Sequence, residues 1–274
     1  SSDLDQKKDA PLWKKSFLYP PQSESMQPSH IRSLLEEQQR PRPLGVLLLF
    51  QGLGLNPCLY YKTKMQLYGT PPSHFTRKVR IVLQELGLPY EFVILSQLLE
   101  VGERHFAHNP LHMFPVLEDG DIRLFESDLI CDYLISRYGA GKELNSFIPS
   151  QKNQVKDRQR LAVMNGGMSA GVTLIRAKRS GIRDWAPFPY FRQELASIDA
   201  ALHWLENELG LETSFYPGRF TMLEITLICF LEWAVYREFL KDWSSFPRLA
   251  AFVRAHEGRP SVQTTHPALA EARR

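Results

Sequence analysis

Three short stretches of this chain carry groups that could do chemistry together: Ser73, the dipeptide Phe114-Pro115, and the pair Glu126-Ser127. A serine hydroxyl at a helix N-terminus can donate to a sulfur atom. With the helix dipole it would lower the pKa of a bound thiol, and the thiolate is the nucleophile at neutral pH. The bland reading of the same serine is a turn or a helix cap. Thr70 and Tyr68 are rival hydroxyls on the same stretch. Phe114-Pro115 stands just before a strand-like run. As a cis peptide it would turn the main-chain N–H and C=O of Phe114 outward, free to pair with an extended ligand. A trans proline opening a strand is the more ordinary reading from the residues alone. In Glu126-Ser127 the hydroxyl and nearby N–H groups suit a ligand carboxylate and the glutamate suits an ammonium, unless the pair only caps a helix. Taken together they describe a site for an acidic, thiol-bearing peptide. Asp128 and Asp132 read as a solvated helix face.

The elements that would position these groups follow from periodicity. Gln66 to Tyr68 begins an extended segment. Residues 76–86 place Val79, Val82, Leu83 and Leu86 on one helical face, and Gly87 ends that helix. Residues 90–95 are rich in β-favouring types, and residues 103–107 suit a short, irregular helix. Residues 116–118 and 122–125 read as strands joined by a tight turn at Asp119-Gly120. Helical period returns over 126–138, with Leu129, Ile130, Tyr133 and Leu134 expected to face inward. Strands alternating with helices and closing on a hairpin imply a small mixed sheet. Residues 139–150 are small and polar, as in a linker. Beyond them strand signals vanish, and residues 152–180, 189–209, 222–239 and 250–257 are helical by period. Thr221-Met-Leu-Glu224 spells a capping box, with Phe220 and Ile225 placed for a hydrophobic staple. The expected organisation is an α/β domain over 65–142 and an all-α domain over 150–267.

Length and composition are those of a globular protein with room for two domains: 274 residues, 43% hydrophobic and 23% charged. The net charge of +3 sits entirely in residues 1–64, where nine Lys/Arg face six Asp/Glu; residues 65–274 carry 24 of each. That balance gives no reason to expect a nucleic-acid groove. Residues 1–43 are proline- and glutamine-rich without apolar period and read as disordered. The apolar run over 44–55 lies some forty residues in and is too short to span a bilayer comfortably. Residues 1–64 are therefore expected to be an extension outside the fold, with no membrane partner. Cys58, Cys131 and Cys229 lack metal-ligand spacing and fit a reducing compartment. His105, His108 and His112 lack an acidic or cysteine companion, so surface or packing roles and no metal are expected.

The order of motifs resembles the glutathione transferase superfamily over about residues 65–267. Ser73-His-Phe-Thr-Arg-Lys-Val-Arg-Ile is similar to the bacterial Ser-Pro-Phe-x-Arg-Lys-Val-Arg-Ile pattern. Asn109-Pro-Leu-His-Met-Phe-Pro-Val-Leu and Leu124-Phe-Glu-Ser-Asp-Leu-Ile-Cys-Asp-Tyr-Leu resemble its second and third signatures, and Phe246-Pro-Arg-Leu, Arg259-Pro-Ser-Val and Thr265-His-Pro its C-terminal ones. The resemblance implies a thioredoxin-like N-terminal domain, a helical C-terminal domain, a cytoplasmic homodimer, and glutathione as co-substrate. By position, Phe114 would pair through its main chain with the cysteinyl part of glutathione, Pro115 would be cis, Glu126 and Ser127 would hold the γ-glutamyl end, and Ser73 would stabilise the thiolate. The implied reaction joins that thiolate to a small apolar electrophile lying against the helix over 152–180, where Met164 and Met168, at i, i+4, read as core or as pocket lining. A glutathione-dependent isomerase, or a non-catalytic binding or regulatory protein of the same fold, is the alternative. His74 replaces the usual proline, Met113 replaces a Lys or Gln, and no cysteine lies near residue 73.

Overall fold

A computed structural model describes residues 65–95, 106–140, 153–210 and 212–270. The extension over 1–64, most of the short helix expected over 103–107 and most of the linker over 139–150 lie outside the described residues. The N-terminal layer runs β1 (Gln66–Gly69), α1 (His74–Glu85), β2 (Glu91–Ile94), β3 (Val116–Asp119), β4 (Ile122–Phe125) and α2 (Ser127–Tyr138). The four strands lie in the order β2-β1-β3-β4, with β1 and β2 parallel and the other two pairings antiparallel. The helical part comprises α3 (Gln154–Arg179), α4 (Pro189–Leu209), α5 (Met222–Tyr236), α6 (Pro247–His256) and α7 (Pro260–Thr264), closed by a 3₁₀ turn over Pro267–Ala270. This is a thioredoxin-like sheet followed by a helical domain.

The parallel β1–β2 pair requires a crossover, which α1 supplies. Val79, Val82 and Leu83 on α1 are fully buried, as are Leu67 and Leu117 from the sheet and Ile130 and Leu134 from α2. Gly69 permits the close approach of β1 to α1, since a Cβ there would lie 2.5 Å from the Thr76 side chain. In the hairpin Asp119 pairs with Ile122, so the two-residue loop is Gly120–Asp121, one position later than the expected turn. Gly120 takes φ 63°, the left-handed conformation that glycine adopts without a steric penalty.

Helix α5 is the axis of the helical part, with every residue from Met222 to Ala234 buried. Its N-terminus carries the expected capping box, and the Glu224 carboxylate also accepts from Ser214 Oγ at 2.8 Å and Phe215 N–H at 3.0 Å. Two adjacent cations on α1 are buried against their neighbours. Arg77 pairs with Glu232 of α5 and donates to Thr265 Oγ1 at 3.2 Å and Val262 O at 3.0 Å. Lys78 pairs with Asp128 of α2 and donates to Asn165 Oδ1 of α3 at 3.0 Å. Buried cations are tolerable only with such partners.

Two expectations need correction. Asp128 is no solvated residue: it meets Lys78, and Asn165 Nδ2 donates to it at 2.5 Å. Leu129, expected inside, is 53% exposed, because α2 presents Ile130 and Leu134 to the core and turns Leu129 away. Met164 and Met168, for which core and pocket lining were both open, are fully buried core residues.

Candidate functional site

Strand register brings the three chemical stretches to one end of the sheet. Tyr68 pairs with Val116, and Val116 with Phe125. One step beyond that row, β1 runs on toward Ser73, β3 is preceded by Phe114-Pro115, and β4 is followed by Glu126-Ser127. The antiparallel pairings dictate this convergence of segments far apart in the chain.

Ser73 is the N-cap of α1. Its backbone is extended (φ −79°, ψ 120°) and its Oγ accepts from Thr76 N–H at 3.2 Å, while its own N–H donates to Thr70 O at 3.1 Å. A hydroxyl that accepts a capping bond keeps its proton available for another acceptor. The first N–H groups of α1 have no intrahelical partner and add positive potential at the same place. Ser73 and Thr70 both line a cleft of about 110 Å³. Tyr68 does not: its hydroxyl donates to Gln66 Oε1 and Glu118 Oε2, each at 3.1 Å. Burial, and then Glu118, raise the Tyr68 pKa, so it is a poor partner for a thiolate.

The Phe114–Pro115 peptide is cis. Among the described residues, neither the N–H nor the C=O of Phe114 has a hydrogen-bond partner, although both adjoin β3. The loop before it is pinned by Asn109, whose amide donates to Met113 O at 2.8 Å and accepts from Leu111 N–H at 2.9 Å. Phe114 itself lines the cleft with Met113 and Phe106.

Glu126 caps α2 from a left-handed conformation, φ 75°, unusual for a non-glycine residue. Its carboxylate accepts from Asp128 N–H at 3.0 Å and Leu129 N–H at 3.3 Å, and Ser127 Oγ donates to it at 3.2 Å. Ser127 is buried and Glu126 exposed. The pair does not line the cleft but lies at the same end of the sheet.

The far wall of the cleft comes from the helical part: Val172, Ile175, Arg176 and Arg179 of α3, with Trp233 and Arg237 at the end of α5. Sequence reasoning missed these residues. Their signal was present, since Val172, Ile175, Arg176 and Arg179 recur at i, i+3, i+4 and i+7 and so share one helical face. Gly171 seats the wall, because a Cβ there would lie 2.5 Å from the Trp233 ring. His74 is only 2% exposed, with its ring 4.3 Å from that of Phe75 and 4.0 Å from Trp233. Burial, followed by Lys78 and Arg237, holds its pKa well below the usual imidazole value, so the ring is neutral. The cysteines offer no rival nucleophile among the described residues. Burial raises the Cys131 thiol strongly and pushes Cys229 up to about 11.

Two family models match the chain: the N-terminal domain of glutathione S-transferases over residues 67–143 and the C-terminal domain of the same enzymes over residues 188–255. The chain belongs to the glutathione transferase superfamily. Within it, the chain is 24% identical to glutathione S-transferase F7 of Arabidopsis thaliana over 73% of its own length and 97% of the relative's. It is 27% identical to glutathione S-transferase GstB of Escherichia coli, over 72% and 95% of the two chains. A glutathione S-transferase structure from Methylobacterium radiotolerans, in complex with glutathione sulfonate, superposes with TM-score 0.64 at 27% identity, over 75% of this chain and 95% of that one. Another, from Methylobacillus flagellatus with glutathione bound, gives TM-score 0.64 at 25% identity, over 74% and 100%. Among the described residues no helix is long and apolar enough to cross a membrane, and no cluster of metal-binding side chains occurs.

Proposed function

We propose that this protein is a glutathione transferase in which Ser73 holds the thiolate. The observation that carries the reading is the convergence, at one sheet end, of a capping hydroxyl with a free proton, an unpaired Phe114 main chain and the Glu126-Ser127 pair. An extended tripeptide would pair with the N–H and C=O of Phe114 as an added strand. Its γ-glutamyl ammonium would meet the Glu126 carboxylate, and its carboxylate the Ser127 hydroxyl and the N-terminus of α2. The unusual backbone of Glu126 supports this placement, since such conformations concentrate at ligand clamps. The thiol proton passes to solvent, and the thiolate accepts from Ser73 Oγ–H. Sulfur then attacks an electrophilic carbon in the cleft, forming a C–S bond as a leaving group departs with its electron pair.

A non-catalytic binding role is favoured by one observation: Met113, beside Phe114 in the cleft, offers a thioether where a polar contact to the tripeptide would serve. Calorimetric titration with glutathione, followed by a conjugation assay with a chloronitrobenzene, separates the two. Binding with turnover supports the transferase, binding without turnover the second reading, and absence of binding overturns both. The exposed Leu129 and Val155 on α2 and α3 support a homodimer, testable by light scattering. The free, buried thiols of Cys131 and Cys229 support a reducing, cytoplasmic setting.

A further inference from the structure

The cleft wall facing Ser73 is cationic, and what that says about the acceptor rests on the transferase reading above. Arg176 and Arg179 lie almost one turn apart on α3, and Arg237 caps α5 nearby; all three line the cleft. None of the lining residues is an aspartate or glutamate. Among the described residues neither the Arg176 nor the Arg179 guanidinium has an ion-pair or hydrogen-bond partner, whereas other arginines of the fold, such as Arg77, Arg123 and Arg160, are paired. His74, buried with both ring nitrogens outside hydrogen-bonding geometry, lines the same cleft as a neutral group. Guanidinium groups are the side chains best matched to a carboxylate, and an apolar wall beside them suits a flat hydrocarbon body.

We propose that the cleft takes an anionic acceptor: an aromatic electrophile bearing a carboxylate, its ring against Trp233 and Phe75 and its carboxylate on Arg176 and Arg179. This replaces the expectation of a purely apolar co-substrate. With a chloronitrobenzoate the chemistry balances simply. The sulfur of glutathione bonds to the ring carbon that carries chlorine, the C–Cl bond breaks, and chloride leaves with the bonding pair.

Binding separates this proposal from the transferase reading. Para-nitrobenzoate and its neutral isostere para-nitrobenzamide are titrated calorimetrically into the wild-type protein, Arg176→Gln/Arg179→Gln and Arg176→Lys/Arg179→Lys. Two partly exposed guanidiniums should favour the carboxylate by about tenfold at low salt, less at high salt. The Gln pair should bring the two ligands within about twofold, and the Lys pair should retain most of the preference. Both arginines are exposed, so circular dichroism of the variants should match the parent. Equal binding of the two ligands by the wild type overturns the proposal, as does a preference that survives in the Gln pair. A matching loss of glutathione affinity in the Gln pair also overturns it, because the arginines would then serve the tripeptide. In turnover, the Gln pair should lose activity toward chloronitrobenzoate relative to chlorodinitrobenzene. If the carboxylate preference is present but neither acceptor is conjugated, the anion site stands and the transferase reading falls.

Discussion

Under the proposed function Ser73 has two jobs that substitutions can pull apart. Its oxygen caps α1 through the 3.2 Å bond from Thr76 N–H, and its proton is assigned to the thiolate. Ser73→Ala should lose both, costing about 1 kcal/mol of stability from the cap, whereas Ser73→Gly should cost only a few tenths. The hydrogen bond to sulfur is a bond to a charged acceptor, worth about 1.5–3 kcal/mol. At about 1.4 kcal/mol per unit, its loss raises the bound thiol pKa by roughly one to two units. An unperturbed thiol ionises near about 8.5. Conjugation should therefore fall about 10- to 100-fold at pH values below the wild-type thiol pKa and converge on wild type in strongly alkaline buffer, where both thiols are ionised. The loss should be alike in the Ala and Gly variants, while urea melts rank them apart; Ser73→Thr should keep both functions. Ultraviolet thiolate absorbance of bound glutathione reads the pKa directly. A Ser73→Gly protein with an unshifted thiol pKa, or a rate loss independent of pH, refutes the assignment. A shift in Thr70→Val instead would move the role to that hydroxyl.

Further outcomes follow from the packing. Glu232→Ala strands the buried Arg77 guanidinium and should cost about 3–5 kcal/mol in urea denaturation. Arg259→Ala, which breaks a pair with Glu85 whose arginine is 38% exposed, should cost about 1 kcal/mol or less. Gly171→Ala drives a methyl into Trp233 and should destabilise by about 1–3 kcal/mol with a shifted tryptophan emission. His74 is held neutral by burial, so the unfolded chain binds a proton there before the folded one does. Stability should thus fall as pH drops below about 6.5, by at most about 1.4 kcal/mol per unit from this group. His74→Leu should flatten that slope in parallel pH melts.

Local signals exposed most of the fold. The apolar period of α1, the Ser73 cap, the hairpin and the Thr221-Glu224 box are each set by residues within a few positions of one another, so the chain displays them directly. The three stretches of the candidate site were legible for the same reason. Facing was harder. Leu129 obeys the helical period yet points outward, because the helices packed on α2, not its own spacing, choose its buried face. Asp128 looked solvated for want of any local mark that it meets Lys78 across 50 residues. The cationic wall was hidden because its side chains share a cleft with Ser73 only through the docking of α3 and α5. The periodic face was readable; what it faced was not.

The clamp on α1 also fixes when the protein can be finished. Lys78 meets Asp128 after 50 further residues, but Arg77 must wait for its counter-charge, Glu232 of α5, and for Thr265, 188 residues on. At about 5–20 residues per second, that is an interval of roughly 10–40 s. Until Glu232 has been made, the nascent chain carries a guanidinium whose burial has no counter-charge, so α1 cannot settle on the sheet alone. The two halves of this protein are made in sequence but must mature together.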